Sequence, residues 1–398
     1  MLPLTHVEPW RRAMFGLVIV ALTGVGQSDR RETACRGAQP ENSDAQPLPV
    51  RRLPRDQLLV YLDDKGQARS IASAKEWPLR RNQILLAMQS IMGQLPVGEE
   101  KRCPLDIAVH EEEDCGQYVR RLISYQSEPG SRVPAFLLVP KPVLEGPQRK
   151  APAVLALHPT DHQIGHRVVV GLGGRPNRQY ASELAERGFV VLAPSYPLLA
   201  DYQPDIRELG WESGTLKAIW DNMRGLDLLE SLPYVKQGGF GAIGHSLGGH
   251  NAVFTAAFDT RIVATVSSCG LDSFLDYYGG DPMRWLPEQG WAQTRYMPRM
   301  AQYRERLEEI PFDFHEVVAA IAPRRLLLIA PLHDHNFRAD SVDRIVQAAR
   351  PVYQLLGAGD HLECEHPDCD HDFPPAMRDR AYRFLAKALC EVKESEGR

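Results

Sequence analysis

Phe240-Gly-Ala-Ile-Gly244-His245-Ser246-Leu247-Gly248-Gly249 lies between two strongly patterned runs. The apolar residues Phe240 to Ile243 read as a buried strand, and Gly248 to Phe258 reads as a helix. A serine hydroxyl is a weak nucleophile at neutral pH and needs a base beside it. A strand-to-helix turn with serine at its tip exposes the hydroxyl to such a base. Glycines at 244 and 248 let a strained backbone pass close to its neighbours. The pentapeptide Gly-x-Ser-x-Gly is short enough to occur by chance, so the flanking strand and helix carry the reading of Ser246 as a nucleophile. The bland alternative is a tight glycine-rich turn with an idle serine.

Working outward, strand and helix patterns alternate on both sides of this turn. Upstream, Tyr118 to Val139 alternates like a hairpin around Pro129-Gly130. Then come a strand at Ala153 to Leu157, a helix at Tyr180 to Arg187 closed by Gly188, and a strand at Phe189 to Ala193. Leu216, Ile219, Trp220, Met223, Leu226 and Leu229 mark one face of an amphipathic helix. Downstream, strands are expected at Ile262 to Ser267 and Arg325 to Ala330, with helices at Ser341 to Leu356 and Pro375 to about Leu389. An earlier helix is expected from Leu79 to near Gly93, with Leu79, Gln83, Leu86 and Ile91 marking it. A hairpin followed by strand–helix alternation predicts an α/β fold with a mostly parallel central sheet and helices on both faces. Residues 270–314 break the alternation and are rich in aromatic and charged residues; an insertion there is expected to act as a cap over the carboxyl ends of the strands.

The general base should follow the last strand. His371, in Asp370-His-Asp-Phe-Pro374 before the final helix, is the expected base, with His366 as competitor. The orienting acid should follow the strand ending at Ala330. Asp334 is expected there, while Asp340 is better placed to cap the next helix. The chain order is then Ser246, Asp334, His371. The oxyanion hole is expected from the N–H of Leu247 and that of Thr160 or Asp161, in the loop after the first buried parallel strand. His158, at the end of that strand, reads as structural. Trp291, Arg295 and Arg299 of the insertion are candidate substrate contacts and suggest a polar substrate, sugar-bearing or carboxylated.

From about Val119 to Leu389 the chain resembles the dienelactone-hydrolase and acetyl-xylan-esterase-like branch of the α/β-hydrolases. The resemblance rests on Val133-Pro-Ala-Phe-Leu-Leu-Val-Pro140, Leu157-His-Pro-Thr160, Gly244-His-Ser-Leu-Gly-Gly249, Ile321-Ala-Pro-Arg-Arg-Leu-Leu-Leu328 and His371-Asp-Phe-Pro374. It implies the α/β-hydrolase fold and serine esterase activity through the triad just assigned. Two departures stand out. Dienelactone hydrolases proper use a cysteine nucleophile, and this chain has Ser246. Glucuronoyl esterases carry an arginine at a different elbow, and Gly244 to Gly249 lacks that pattern.

Bulk properties narrow the alternatives. A net charge of -5 and no long Lys/Arg block argue against nucleic-acid binding. Arg11 and Arg12 precede an apolar run, Ala13 to Val25, too short to span a bilayer, so residues 1–26 read as a signal peptide and the protein as exported. Residues 27–75 read as a linker or poorly ordered segment, and 76–395 as the catalytic domain. Seven cysteines leave one unpaired; Cys103 with Cys115, and Cys364 with Cys369, are near enough in sequence to pair in an exported protein. Cys364, His366, Cys369 and His371 have a zinc-like spacing that His333, Asp334 and His335 extend, but a metal there would consume the base. No metal or organic cofactor is expected, and the expected partner is a small-molecule or carbohydrate ester. A serine peptidase of the prolyl-oligopeptidase type and a non-catalytic binding module are the rival readings.

Overall fold

A computed structural model describes residues 52–96, 101–146 and 149–391. The signal-peptide segment, the first part of the expected linker and Cys35 lie outside the described residues. The rest of that linker is folded. Strands β1 (Val60–Leu62) and β2 (Ala68–Ser70) pair antiparallel, and Leu53, Leu58 and Ile71 are buried. Arg52 and Arg55 reach across the chain to Glu316 and Asp313, both fully buried. The polar look of this stretch is therefore that of an ion-paired strap, a pattern composition alone does not separate from a linker.

Helix α1 (Trp77–Met92) starts with Pro78 in its first turn, where a missing N–H is harmless. It buries Trp77, Ile84, Met88, Ile91 and Met92 and leaves Leu79 and Leu86 half exposed. The face read from Leu79, Gln83 and Leu86 is thus the wrong one; the buried stripe lies along Ile84, Met88 and Ile91.

The sheet begins with β3 (Ala108–Asp114), β4 (Tyr118–Glu128) and β5 (Ser131–Pro140), three antiparallel strands. Strand β3 was not foreseen: its His-Glu-Glu-Glu-Asp run is an exposed edge, where charge blocks pairing with another chain. Cys103 and Cys115 flank β3 at opposite ends, about 20 Å of extended chain apart, so they do not pair. The six described cysteines are all free thiols, Cys364 and Cys369 included.

After the short α2 (Lys141–Glu145) the chain alternates: β6 (Ala153–Leu157), α3 (Tyr180–Glu186), β7 (Val190–Pro194), α4 (Gly214–Ser231), β8 (Phe240–His245), α5 (Leu247–Phe258), β9 (Ile262–Ser268), α6 (Phe314–Ile321), β10 (Arg325–Ile329), α7 (Ala339–Leu355), β11 (Leu362–Glu365) and α8 (Pro375–Glu391). The strand order is β11-β10-β9-β8-β6-β7-β5-β4-β3, parallel from β11 to β7 and antiparallel from β5 outward. Side chains alternate across it with period two: Ala153, Leu155 and Leu157 join one core, Val154 and Ala156 the other. Helices α4, α5, α6 and α7 cover the first face, and α3 and α8 the second.

Strand order reverses around β6, which has β7 on one side and β8 on the other. Leu157 of β6 is in register with Gly244 of β8, so the loops leaving both strands open side by side. Such a switch point is where open α/β sheets place ligands.

Candidate active site

Ser246 occupies the tight turn between β8 and α5, with φ 55° and ψ -122°. A non-glycine residue at positive φ is strained, and here neighbours hold it. Its N–H donates to the Ser268 carbonyl at 2.8 Å, and its own carbonyl accepts from His250 N–H in the first turn of α5. The turn closes only because flanking side chains are absent. A Cβ on Gly248 would stand 1.9 Å from the Leu157 carbonyl oxygen, and one on Gly244 would stand 2.1 Å from Gly248.

His371 lies in the loop between β11 and α8. Its Nδ1 is 2.7 Å from Oδ2 of Asp334. Asp334 follows β10 and is buried; its Oδ1 accepts N–H bonds from Asn336 and Phe337. The carboxylate is thus oriented by backbone, and the imidazole by the carboxylate. Arg178 adds a second brace: it pairs with Asp372 and donates to the His371 carbonyl. Ser246 and His371 line one cavity of about 220 Å³. The competitors stand elsewhere. His366 bonds the Ala330 carbonyl and Asp343, and Asp340 pairs with Arg338 and Arg344, which keeps its carboxyl down at about 2. Asp340 lies in the first turn of α7, with Arg338 at the cap position.

Thr160 and Asp161 leave the end of β6 and line the same cavity. Among the described residues neither N–H donates to a protein acceptor. Leu247 opens α5, where first-turn N–H groups have no partner within the helix. His158 is structural: Nδ1–H donates to the Pro159 carbonyl and Nε2 accepts the Tyr196 N–H. Burial pushes its pKa down to about 4, which keeps the ring neutral.

The insertion forms a wall of the site. A second cavity of about 130 Å³ is lined by Ser246, Leu247, Tyr277, Tyr278, Trp291, Tyr296 and Phe337 among others. Trp291 is therefore where a substrate contact was expected. Arg295 and Arg299 are not among the lining residues. Arg299 donates to the Ser90 carbonyl at the end of α1 and pairs with Glu212, and Arg295 bonds Gln293 and faces His162. Their charge serves to fix the insertion against the body. The arginines that do line the cavity, Arg175 and Arg178, come from the glycine-rich loop between β6 and α3, which the sequence reading did not single out. Asn336 borders both cavities and was also missed, although it is only two residues beyond Asp334.

The zinc-like spacing does not assemble as one site. Cys364 and His366 gather with Asp343, whereas His371 joins Asp334 and Cys269. Burial pushes the Cys269 thiol well up, so it stays protonated, and its S–H points to the Asp372 carbonyl at 3.3 Å.

The family described as "Glucuronyl esterase, fungi" matches residues 210–357, a little over a third of the chain that includes Ser246 and Asp334. YtaP of Bacillus subtilis, a protein whose name is that of a hydrolase, is 27% identical over 78% of this chain and 99% of its own length. A 4-O-methyl-glucuronoyl methylesterase of Wolfiporia cocos is 24% identical over 83% of this chain and 80% of its own length. A glucuronoyl esterase from Solibacter usitatus superposes with a TM-score of 0.67 at 21% identity, covering 85% of this chain and 99% of that one. These similarities, with the sheet order and the turn at Ser246, establish the fold.

Proposed function

We propose, on the premise of its α/β-hydrolase fold, that the chain is a serine esterase acting on carbohydrate-linked carboxylic esters. One observation carries this reading: the Nδ1 of His371 is committed to Asp334, which leaves Nε2 for proton transfer in the cavity that Ser246 lines. Ser246 Oγ attacks the ester carbonyl carbon as His371 Nε2 takes its proton. The carbonyl oxygen, now carrying the negative charge, is received by the N–H of Leu247 and of Thr160 or Asp161. Asp334 keeps the imidazole in the right tautomer and stabilises the imidazolium without taking the proton. The tetrahedral intermediate collapses, the C–O bond breaks, and His371 returns the proton to the leaving alcohol. Water then attacks the acyl-enzyme with the same base, and the acid departs.

The names of the relatives favour glucuronoyl esters over dienelactones, and Leu247 after the nucleophile remains a departure from an arginine-bearing elbow. Export belongs to the proposal too, on the basic and apolar pattern of residues 11–25. The decisive test is hydrolysis of p-nitrophenyl acetate, acetylated xylan and a methyl glucuronate ester by the wild type and Ser246→Ala, with fluorophosphonate labelling of both. Ester turnover and labelling that vanish in the variant are expected. A wild type that neither labels nor cleaves any ester overturns the reading.

A further inference from the structure

The two cavities that meet at Ser246 differ in chemistry. One is walled by Tyr277, Trp291, Tyr296 and Phe337. The other is polar, with Arg175, Arg178, Asp161 and His245 in its lining. We infer that this polar cavity recognises a free carboxylate carried by the substrate in addition to the scissile ester, and that Arg175 is the residue that pairs with it. The inference rests on the esterase reading and deepens it.

The charges in that cavity are unequally occupied. Arg178 is buried and already neutralised by Asp372, which also accepts from Asn177. Asp161 is engaged as well: its Oδ1 accepts the N–H groups of Gln163 and Ile164. Arg175 is exposed, and its guanidinium has neither a hydrogen-bond nor an ion-pair partner among the described residues. Its loop is nevertheless pinned on both sides. Before it, Gly174 at φ 83° packs so closely on Val168 that a Cβ would lie 2.4 Å from Cγ2. After it, Asn177 and Arg178 are tied to Asp372. An unpaired cation on a fixed loop beside a nucleophile is organised for a ligand before the ligand arrives.

A second observation points the same way. His245 is fully buried, lines this cavity, and has an Nε2 with no hydrogen-bond partner among the described residues. Burial, and after it the charges of Arg178, His371 and Arg175, push its pKa well down. A neutral ring there adds no competing positive charge and leaves Arg175 as the cation free for pairing. A guanidinium presents a planar pair of N–H donors that matches the two oxygens of a carboxylate. Because Ser246 borders both cavities, the charged half of the ester would lie in one and its apolar half against the aromatic wall.

Two matched ester pairs test this. p-Nitrophenyl hemisuccinate against p-nitrophenyl butyrate puts the charge on the acyl side; 4-acetoxybenzoate against phenyl acetate puts it on the alcohol side. The quantity read is the selectivity ratio, charged over neutral kcat/KM, in the wild type, Arg175→Gln and Arg175→Lys. In one pair the ratio is expected to fall at least about tenfold in Arg175→Gln, through KM, with partial retention in Arg175→Lys. The wild-type ratio should also shrink with added salt. Ratios unchanged in both pairs overturn the inference, including the case where Arg175→Gln slows all four esters equally, which would mark an oxyanion role instead. An active wild type with unchanged ratios sinks this inference alone; a wild type that cleaves none of the four, nor acetylated xylan or a methyl glucuronate ester, and is not labelled by a fluorophosphonate sinks the esterase reading with it.

Discussion

Nδ1 of His371 lies 2.7 Å from Oδ2 of Asp334, across 37 residues of chain and between the loops that follow β10 and β11. The two strands are parallel neighbours, with Ile329 opposite Glu365, so both loops leave the sheet at the same edge as Ser246. The pair follows from sheet geometry more than from any local motif.

If Asp334 sets the imidazole tautomer, Asp334→Asn should lower kcat by about 10³–10⁴-fold while the protein stays folded. The two rejected candidates supply the control. Asp340→Asn and His366→Gln should keep kcat within about twofold, because neither side chain borders the cavity. Steady-state kinetics on any cleaved ester, with circular dichroism to confirm folding, checks all three.

Ser246 is held at φ 55°, where a Cβ is strained and glycine is not. Ser246→Gly and Ser246→Ala should both be inactive. The glycine variant should be the more stable of the two by about 1 kcal/mol, the scale of one residue's left-handed strain. Urea unfolding of the pair measures the difference, and equal midpoints would show that the turn is unstrained.

Gly248 is packed against the Leu157 carbonyl. Gly248→Ala forces the start of α5 away from β6 and so moves the Leu247 N–H. Destabilisation of at least about 2 kcal/mol is expected, together with loss of turnover. Gly66, by contrast, meets nothing within 4 Å, although its φ of 70° still disfavours a side chain. Gly66→Ala should cost about 1 kcal/mol and leave turnover unchanged.

Buried histidines set the acid limit of stability. Burial lowers His158 to about 4 and His166 and His250 to about 3, and lowers His245 and His315 as well. In the unfolded chain a histidine titrates near 6.5. Between that value and the folded pKa the unfolded state binds more protons, so stability is complete above pH 6.5 and falls as pH drops toward 4. Each such histidine contributes a slope of up to about 1.4 kcal/mol per pH unit. Thermal unfolding between pH 7 and 4.5 should show a steep fall in Tm. The His250 ring stacks on Phe254 and Trp291 and its nitrogens make no hydrogen bond among the described residues, so His250→Phe should flatten that fall.

Much of the fold was legible because it depends on periodicity. The strand at Ala153 to Leu157, the helix carrying Leu216 to Leu229 and the turn at Ser246 each have a pattern that a short window reveals. Ser246, Asp334 and His371 were singled out by their order along the chain, and the structure sets His371 against Asp334 and places Ser246 and His371 on one cavity. What escaped was whatever depends on distant partners. Arg299 and Arg175 look alike in sequence, yet Arg299 meets Ser90 and Glu212 while Arg175 faces a cavity. The β11 strand escaped as well: Leu362-Glu-Cys-Glu365 has a single fully buried side chain and, among the described residues, pairs only with β10. The helix α6, short and apolar, is marked chiefly by the capping box of Asp313 and Glu316.

Those same two acids have a consequence for where the folded body starts. Asp313 and Glu316 cap α6 from inside the protein, and Arg52, Arg55 and Arg80 provide their counter-charges. A truncation just beyond Arg55 would remove two of those three cations, leaving Glu316 with Arg80 alone and Asp313 without a cation in a dry interior, at a cost of about 3–5 kcal/mol for a buried pair broken from one side. The folding unit therefore includes Arg52 and Arg55, and a nascent chain cannot fasten that segment until the ribosome has released the helix at Phe314–Ile321.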